Sequence, residues 1–273
     1  VVGVRVHQIV GDLASVSILQ SEIAGLLAGA PLAQPVRHKE VIEKLAACRF
    51  DPEDPVAQRD RAFWRYAIRA SRATHVPFPM RSRAMLPSSS GRNHGLARSI
   101  TGRLPKLSTS ELICAYVGAI RKVTDSNGSI LIGHKKSLRG RWSTAAAVGP
   151  FEIEHPILVP DDPLDKTAMA QFERTLAAAD YHCKFDSHAA AVELSGELAE
   201  CQISPFQILF EMVPTLAHQT PKAMLHDLWL QVAQTEGQTA FRLSFDQDVV
   251  EEQMAQAIVD AMNVRLPEAI SVQ

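Results

Sequence analysis

Cysteine is too sparse and too scattered to organise this chain. The four cysteines are Cys48, Cys114, Cys183 and Cys201, and no two stand at C-x-x-C spacing. Neither a disulfide framework nor a thiolate metal site is expected at this length. Reduced thiols in a cytoplasmic protein are the expectation instead. Histidine is equally dispersed. His182 and His188 lie six apart, which misses the i, i+4 spacing of two ligands on one helix face, so no metal site is expected. Charge of one sign is missing too. With 28 basic and 30 acidic residues the net charge is −2, which gives no footprint for a nucleic-acid partner. No apolar run reaches the roughly 18 residues of a membrane span. No basic segment precedes an apolar core at the start, so no signal peptide is read there. Internal repeats and low-complexity segments are absent.

The composition is ordinary for a globular protein, with 46% hydrophobic and 21% charged residues over 273 positions. That length suits one large domain or two modest ones. Residues 1–10 alternate as a strand, with Val2, Val4 and Val6 on one side and Arg5 and His7 on the other. The chain opens inside that strand, so sequence upstream of it is expected. Asp12 or Ser15 caps a helix running to about Gly29. A short helix is expected over 39–48. Pro55 opens another helix, to about Ala70, with Phe63, Trp64, Tyr66 and Ala67 as its apolar side.

Residues 72–108 read as a Pro- and Ser-rich connection. Their charged side chains are all basic: Arg72, Arg81, Arg83, Arg92, Arg98, Arg103 and Lys106. The stretch is either a solvated linker or a basic patch facing a phosphate-bearing partner. Beyond it the pattern is regular. Ser108 or Ser110 caps a helix to Val123, and 125–128 is a turn. Strands follow at 129–134 and 153–159, then helices at 165–179 and about 187–194, and a strand at 206–213. A hairpin turns at Thr235-Glu236-Gly237, and a last helix runs from Asp248 to about Leu266. Helices alternate with strands, so the class is α/β or α+β.

The first thirteen residues, VVGVRVHQIVGDL, carry a motif: His7-Gln8-x-x-x-Asp12-Leu13. It resembles the His-His-x-x-x-Asp-Gly strand of nonribosomal peptide synthetase condensation domains. Other segments resemble that family in the same order. Leu107 to Tyr116 is similar to its capped apolar helix. Ile130 to Gly133 with Arg139-Gly140-Arg141 is similar to its "vvG…gR" segment. Val148-Gly149-Pro150-Phe151 with Pro156 is similar to "vGpf-x-n-x-x-P". His182 to Leu194 is similar to "Hqdlpfe-x-lv-x-x-L", and Pro205 to Phe210 to "plFqvlF".

The resemblance implies a chloramphenicol acetyltransferase-like fold, a two-layer α/β sandwich in two lobes. Residues 1–71 would be the remainder of the first lobe, 72–108 the connection, and 109–273 the second lobe. Most of the first lobe would then be missing. It also implies acyl transfer between carrier-bound substrates, tethered by phosphopantetheine, with no bound cofactor. An acyl or peptidyl carrier protein is the implied partner, with a tailoring enzyme or a chain bearing the missing lobe as further partners. Neither nucleic acid nor membrane is expected.

The seam residues carried over are His7, Gln8, Asp12, Arg139, Arg141 and Gly149. In the family the second His acts as base or positions the amine, a task suited to a pKa near neutrality. Gln8 stands there. It can hydrogen-bond and so orient a nucleophile, but it cannot take a proton. Asp12 would pair with an Arg to hold the seam, and both Arg139 and Arg141 are candidates. His7 reads as packed. Leu13 replaces the motif's Gly, and Ile153 stands where Asn is common. His134, His155, His182 and His188 are weaker candidates for a substitute base. Trp64, Trp142 and Trp229 read as packing residues. The chain is therefore expected to be a catalytically degenerate docking platform. The alternative is an active acyltransferase that positions its acceptor with Gln8.

Overall fold

The computed structural model describes residues 11–31, 39, 43, 53–70, 95–139, 146–161, 166–182, 207–216, 223–224 and 226–270. Five helices and seven strands are ordered among them: α1 Leu13–Leu27, α2 Pro55–Ala70, β1 Gly95–Leu104, α3 Thr109–Thr124, β2 Ile130–Ser137, β3 Glu152–Val159, α4 Lys166–Tyr181, β4 Ile208–Met212, β5 Ala223–Met224, β6 Leu228–Thr235, β7 Gln238–Asp246 and α5 Glu252–Ile270. The first strand and the helices expected over 39–48 and 187–194 lie outside the described residues, apart from Lys39 and Glu43.

The strands form one mixed sheet in the order β3-β2-β4-β6-β7-β1-β5. β2, β4 and β6 run parallel, and the other neighbours are antiparallel. β1 lies within the stretch 72–108 that reads as a connection. Its residues 97–104 pair with β7, from Ala97 on Asp246 to Leu104 on Thr239, and Gly95 and Leu96 pair with β5. Glycine, polar residues and arginines hid a strand whose stability comes from its ladder and not from apolar alternation.

Strand alternation gives the sheet two unlike faces. One carries Ile132, Phe210, Leu230, Phe241 and Leu243, all buried in the main core. α3 is the centrepiece of that core. Ser108 caps it through a capping box with Glu111, and Asp125 ends it in a left-handed conformation, φ 47°. Between those signals α3 is apolar nearly all round, as a helix buried between sheet and helices must be. α2, α4 and α5 contribute Trp64, Phe172 and Met262 to the same cluster.

The opposite face is polar. Register places Glu154 beside Lys135, Lys135 beside Glu211, Glu211 beside Gln231, Gln231 beside Arg242, and Arg242 beside Thr101. Six strands thus share one transverse row.

The hairpin forms where expected, with Thr235 opposite Gln238 and Gly237 at φ 82°. α2 also forms, with Trp64 in the core and Phe63 and Ala67 packed against it as expected, but without Tyr66. Trp64 is buried beside Ala57, Asp60 and Ile68, while Tyr66 is 76% exposed. A buried carboxylate disguised the true spacing.

Gly102 lies opposite Phe241 on the core face. A Cβ there would meet the Phe241 ring at 2.4 Å. Gly102→Ala is therefore expected to destabilise by about 1–3 kcal/mol through overpacking. A lowered denaturant midpoint, partly restored by Phe241→Leu, checks this.

Candidate active-site seam

Asp12 is the N-cap of α1, and its Oδ1 accepts from the backbone N–H of Ser15 at 2.8 Å. Asp12-x-x-Ser15 is a local helix start, which is why α1 begins there. The cap is also one half of a buried ion pair. Arg139, just beyond β2, donates from Nε to Asp12 Oδ2 at 2.9 Å and from Nη2 to Oδ1 at 2.6 Å. This two-pronged geometry is the strong form of the pair. Arg139 Nη1 donates to the carbonyl of Ala147 at 2.6 Å, and the guanidinium lies 4.9 Å from the centre of the Phe151 ring.

Ser15 joins both partners. Its hydroxyl accepts from Gly149 N–H at 2.9 Å and from Arg139 Nη2 at 2.8 Å. Its one proton lies between Asp12 Oδ1, at 2.8 Å, and the Gly149 carbonyl, at 3.0 Å. Gly149 O also receives the Asp12 backbone N–H at 3.2 Å. Burial pushes the Asp12 carboxyl upward. Hydrogen bonds from Arg139 and Ser15, with the guanidinium charge, outweigh that and hold it below the usual range.

Of the expected seam residues, the structure brings together Asp12, Arg139 and Gly149. Arg141, His7 and Gln8 lie outside the described residues, as does the Leu13 side chain. Gln8 stands four positions before Asp12. Ser15 was read only as an alternative cap; its position three after Asp12 was the available signal. Ile153 is buried in a small apolar cluster with Leu138.

The other histidines sit elsewhere. His134 and His155 face each other across β2 and β3 on the helix-covered side. Burial and nearby Lys136 push His134 down to about 4, so it is neutral at physiological pH. The His155 ring lies 4.7 Å from that of Trp64. His182 is clasped by α2: its Nδ1 lies 2.8 Å from buried Asp60 Oδ1, Phe63 stacks on its ring at 4.2 Å, and Trp64 Nε1 donates to its carbonyl at 2.7 Å. His188 and Trp142 are outside the described residues.

One polar cluster has no local sequence signal. Lys135 Nζ lies 2.6 Å from Glu152 and 3.4 Å from Glu211, which also accepts from Gln231 at 3.1 Å. Trp229 flanks it, 5.5 Å from the Lys135 ammonium. Cys114 is a buried thiol that burial pushes up to about 12, so it is inert as a nucleophile. Among the described residues no cluster has the make-up of a metal site, and no helix is long and apolar enough to cross a membrane.

No family model and no curated protein matches this sequence. Solved structures do. The epimerization domain from the third module of tyrocidine synthetase B aligns with TM-score 0.66 at 13% identity, over 97% of this chain and 68% of that one. The first condensation domain of the calcium-dependent antibiotic synthetase, in complex with a substrate analogue, aligns with TM-score 0.68 at 16% identity, over 97% and 62%. The fold is that of a condensation domain. PapA2 acyl transferase shares it, with TM-score 0.68 at 13% identity over 97% of this chain and 64% of that one. This is the chloramphenicol acetyltransferase-like architecture expected from the ordered motifs. The chain spans about two thirds of the length of these structures.

Proposed function

We propose that this chain is a condensation-like domain of a nonribosomal peptide assembly line in the cytoplasm, and that it docks a carrier protein or a tailoring enzyme in place of running the family reaction. One contrast carries the reading. The structural half of the motif is kept, with Asp12 hydrogen-bonded at both oxygens to Arg139. The chemical half is not, because Gln8 stands where the family has its working imidazole. A general base contributes about 10²–10⁴ in rate, so loss of it alone makes condensation slow. The seam residues then act as scaffold: Asp12, Arg139 and Gly149 fix the start of α1. Arg141 belongs to the same segment. Phosphopantetheine-tethered groups are the ligands this reading implies.

Likeness to PapA2 acyl transferase favours a second reading, an active acyltransferase whose Gln8 orients the acceptor. Single-turnover assays with a carrier-bound donor and a carrier-bound amine separate the two. Under docking, the native chain is silent and Gln8→His raises the rate by about 10²-fold or more. Turnover by the native chain that Gln8→Ala abolishes would sink the docking reading.

A further inference from the structure

Asparagine is scarce in this chain. It occurs three times, as Asn93-His94, Asn127-Gly128 and Asn263-Val264. Only the middle one precedes glycine, and it stands in the turn between α3 and β2. Glycine has no Cβ to screen its backbone nitrogen or to restrict rotation about it. In that pair the side-chain amide is therefore most open to attack by the next residue's nitrogen.

The fold holds the turn on both sides of the amide and leaves the amide in solvent. Asp125 and Ser126 each give a backbone N–H to the Arg121 carbonyl. Ser126 is buried, with its Oγ 2.7 Å from Thr124 Oγ1. Asn127 is exposed. Gly128 follows at φ 99°, and a Cβ built on it would meet nothing within 4 Å. Its N–H donates to Asp161 Oδ1 at 2.6 Å. The carboxylate thus sits on the proton that must leave before this nitrogen can attack, within the reach a general base needs.

We propose that Asn127-Gly128 is a self-modifying site, at which the folded chain converts Asn127 to aspartate and isoaspartate. Gly128 N gives its proton to Asp161 and forms a bond to Asn127 Cγ. The Cγ–Nδ2 bond then breaks, and Nδ2 leaves as ammonia with the proton returned from Asp161. The product is a five-membered succinimide. Water opens it at either carbonyl, and each product carries one new carboxylate. Isoaspartate also lengthens the main chain by one methylene. The Gly128 carbonyl accepts from Arg121 Nε at 3.0 Å, and the same guanidinium donates from Nη2 to Val159 O at 2.9 Å. A longer backbone beside Gly128 strains this clamp, which ties the end of α3 to β3.

The test incubates the folded chain in warm neutral buffer and follows it by peptide mass mapping, with an isoaspartate-specific methyltransferase as the probe. The mass change of an amide becoming an acid is expected at Asn127, with Asn93 and Asn263 intact. Asp161→Ala should slow the reaction by about tenfold or more, because the base in place is lost. Its rate should also climb more steeply with pH than the native rate, since hydroxide must then take the proton. The isoaspartyl fraction, separated by its extra charge, should show a lower urea midpoint than unmodified chain. Asn127→Ser should stay a single charge form on storage. Survival of Asn127 in the folded chain, under conditions where guanidinium-unfolded chain reacts there, overturns the proposal. So does an Asp161→Ala variant that reacts at the native rate or faster.

Discussion

Arg139→Met is expected to lower stability at neutral pH by about 3–5 kcal/mol, the cost of leaving a buried carboxylate without its counter-charge. The side chains of Arg139 and Asp12 are 8% and 2% exposed, so solvent cannot take over. Hydrogen bonds to Asp12, Ser15 and the carbonyls of Ala147 and Gly149 would go. The loss should depend on pH. The folded Asp12 carboxyl lies below its ordinary value, so its contribution is complete above the unfolded pKa of about 3.9. That contribution disappears as pH falls through the depressed folded value. The gap between native and variant midpoints should therefore narrow in acid. A double change, Asp12→Leu with Arg139→Met, should cost less than the two single changes added together, because it leaves no orphaned charge. Urea denaturation at a series of pH values checks all three expectations, and a gap of constant size across pH would rule out the charge argument.

The second large effect is expected at Lys135. Lys135→Met should cost about 3–5 kcal/mol at neutral pH by stranding Glu211 and Glu152. The Glu211 carboxyl is shifted in the opposite direction to that of Asp12. Burial and the neighbouring Glu152 charge raise the Glu211 carboxyl, and Lys135 only partly offsets them. A carboxyl raised on folding favours the fold below its unfolded pKa and loses that benefit as pH rises through the folded value. Without Lys135 the carboxyl rises further. The variant should therefore regain stability on mild acidification, as Glu211 takes up a proton. Adding Glu211→Gln to Lys135→Met should recover most of the loss at pH 7, since a neutral amide needs no ammonium and Gln231 remains beside it. Failure of that second change to recover stability would assign the loss to packing of the lysine stem.

The two ion pairs differ in how visible they are along the chain. Asp12 announces itself by the motif and by the cap spacing to Ser15, both local. Its partner does not: Arg139 and Arg141 are equivalent in sequence, and 127 positions separate Asp12 from Arg139. Lys135, Glu211 and Gln231 come from three strands with no shared motif, and only register aligns them. Tyr66 and Asp60 trade places against expectation for a related reason. A helix pattern read by hydrophobicity assumes polar residues face water, and Asp60 is buried with His182 and Arg59 as its partners.

The sequence by itself narrowed the helix starts to Asp12 or Ser15 and to Ser108 or Ser110, and marked the turn at Asp125, the hairpin at Gly237 and, through motifs in order, the condensation-domain fold. Those features rest on interactions between residues a few positions apart, whose chemistry is written in adjacent letters. Tertiary structure alone decided that Arg139 completes the seam, that a basic stretch supplies β1, and that one face of the sheet is a polar row. Each depends on which distant segments meet. Such contacts are set by the packing of the whole core and by ladder register, and no short stretch of sequence encodes either.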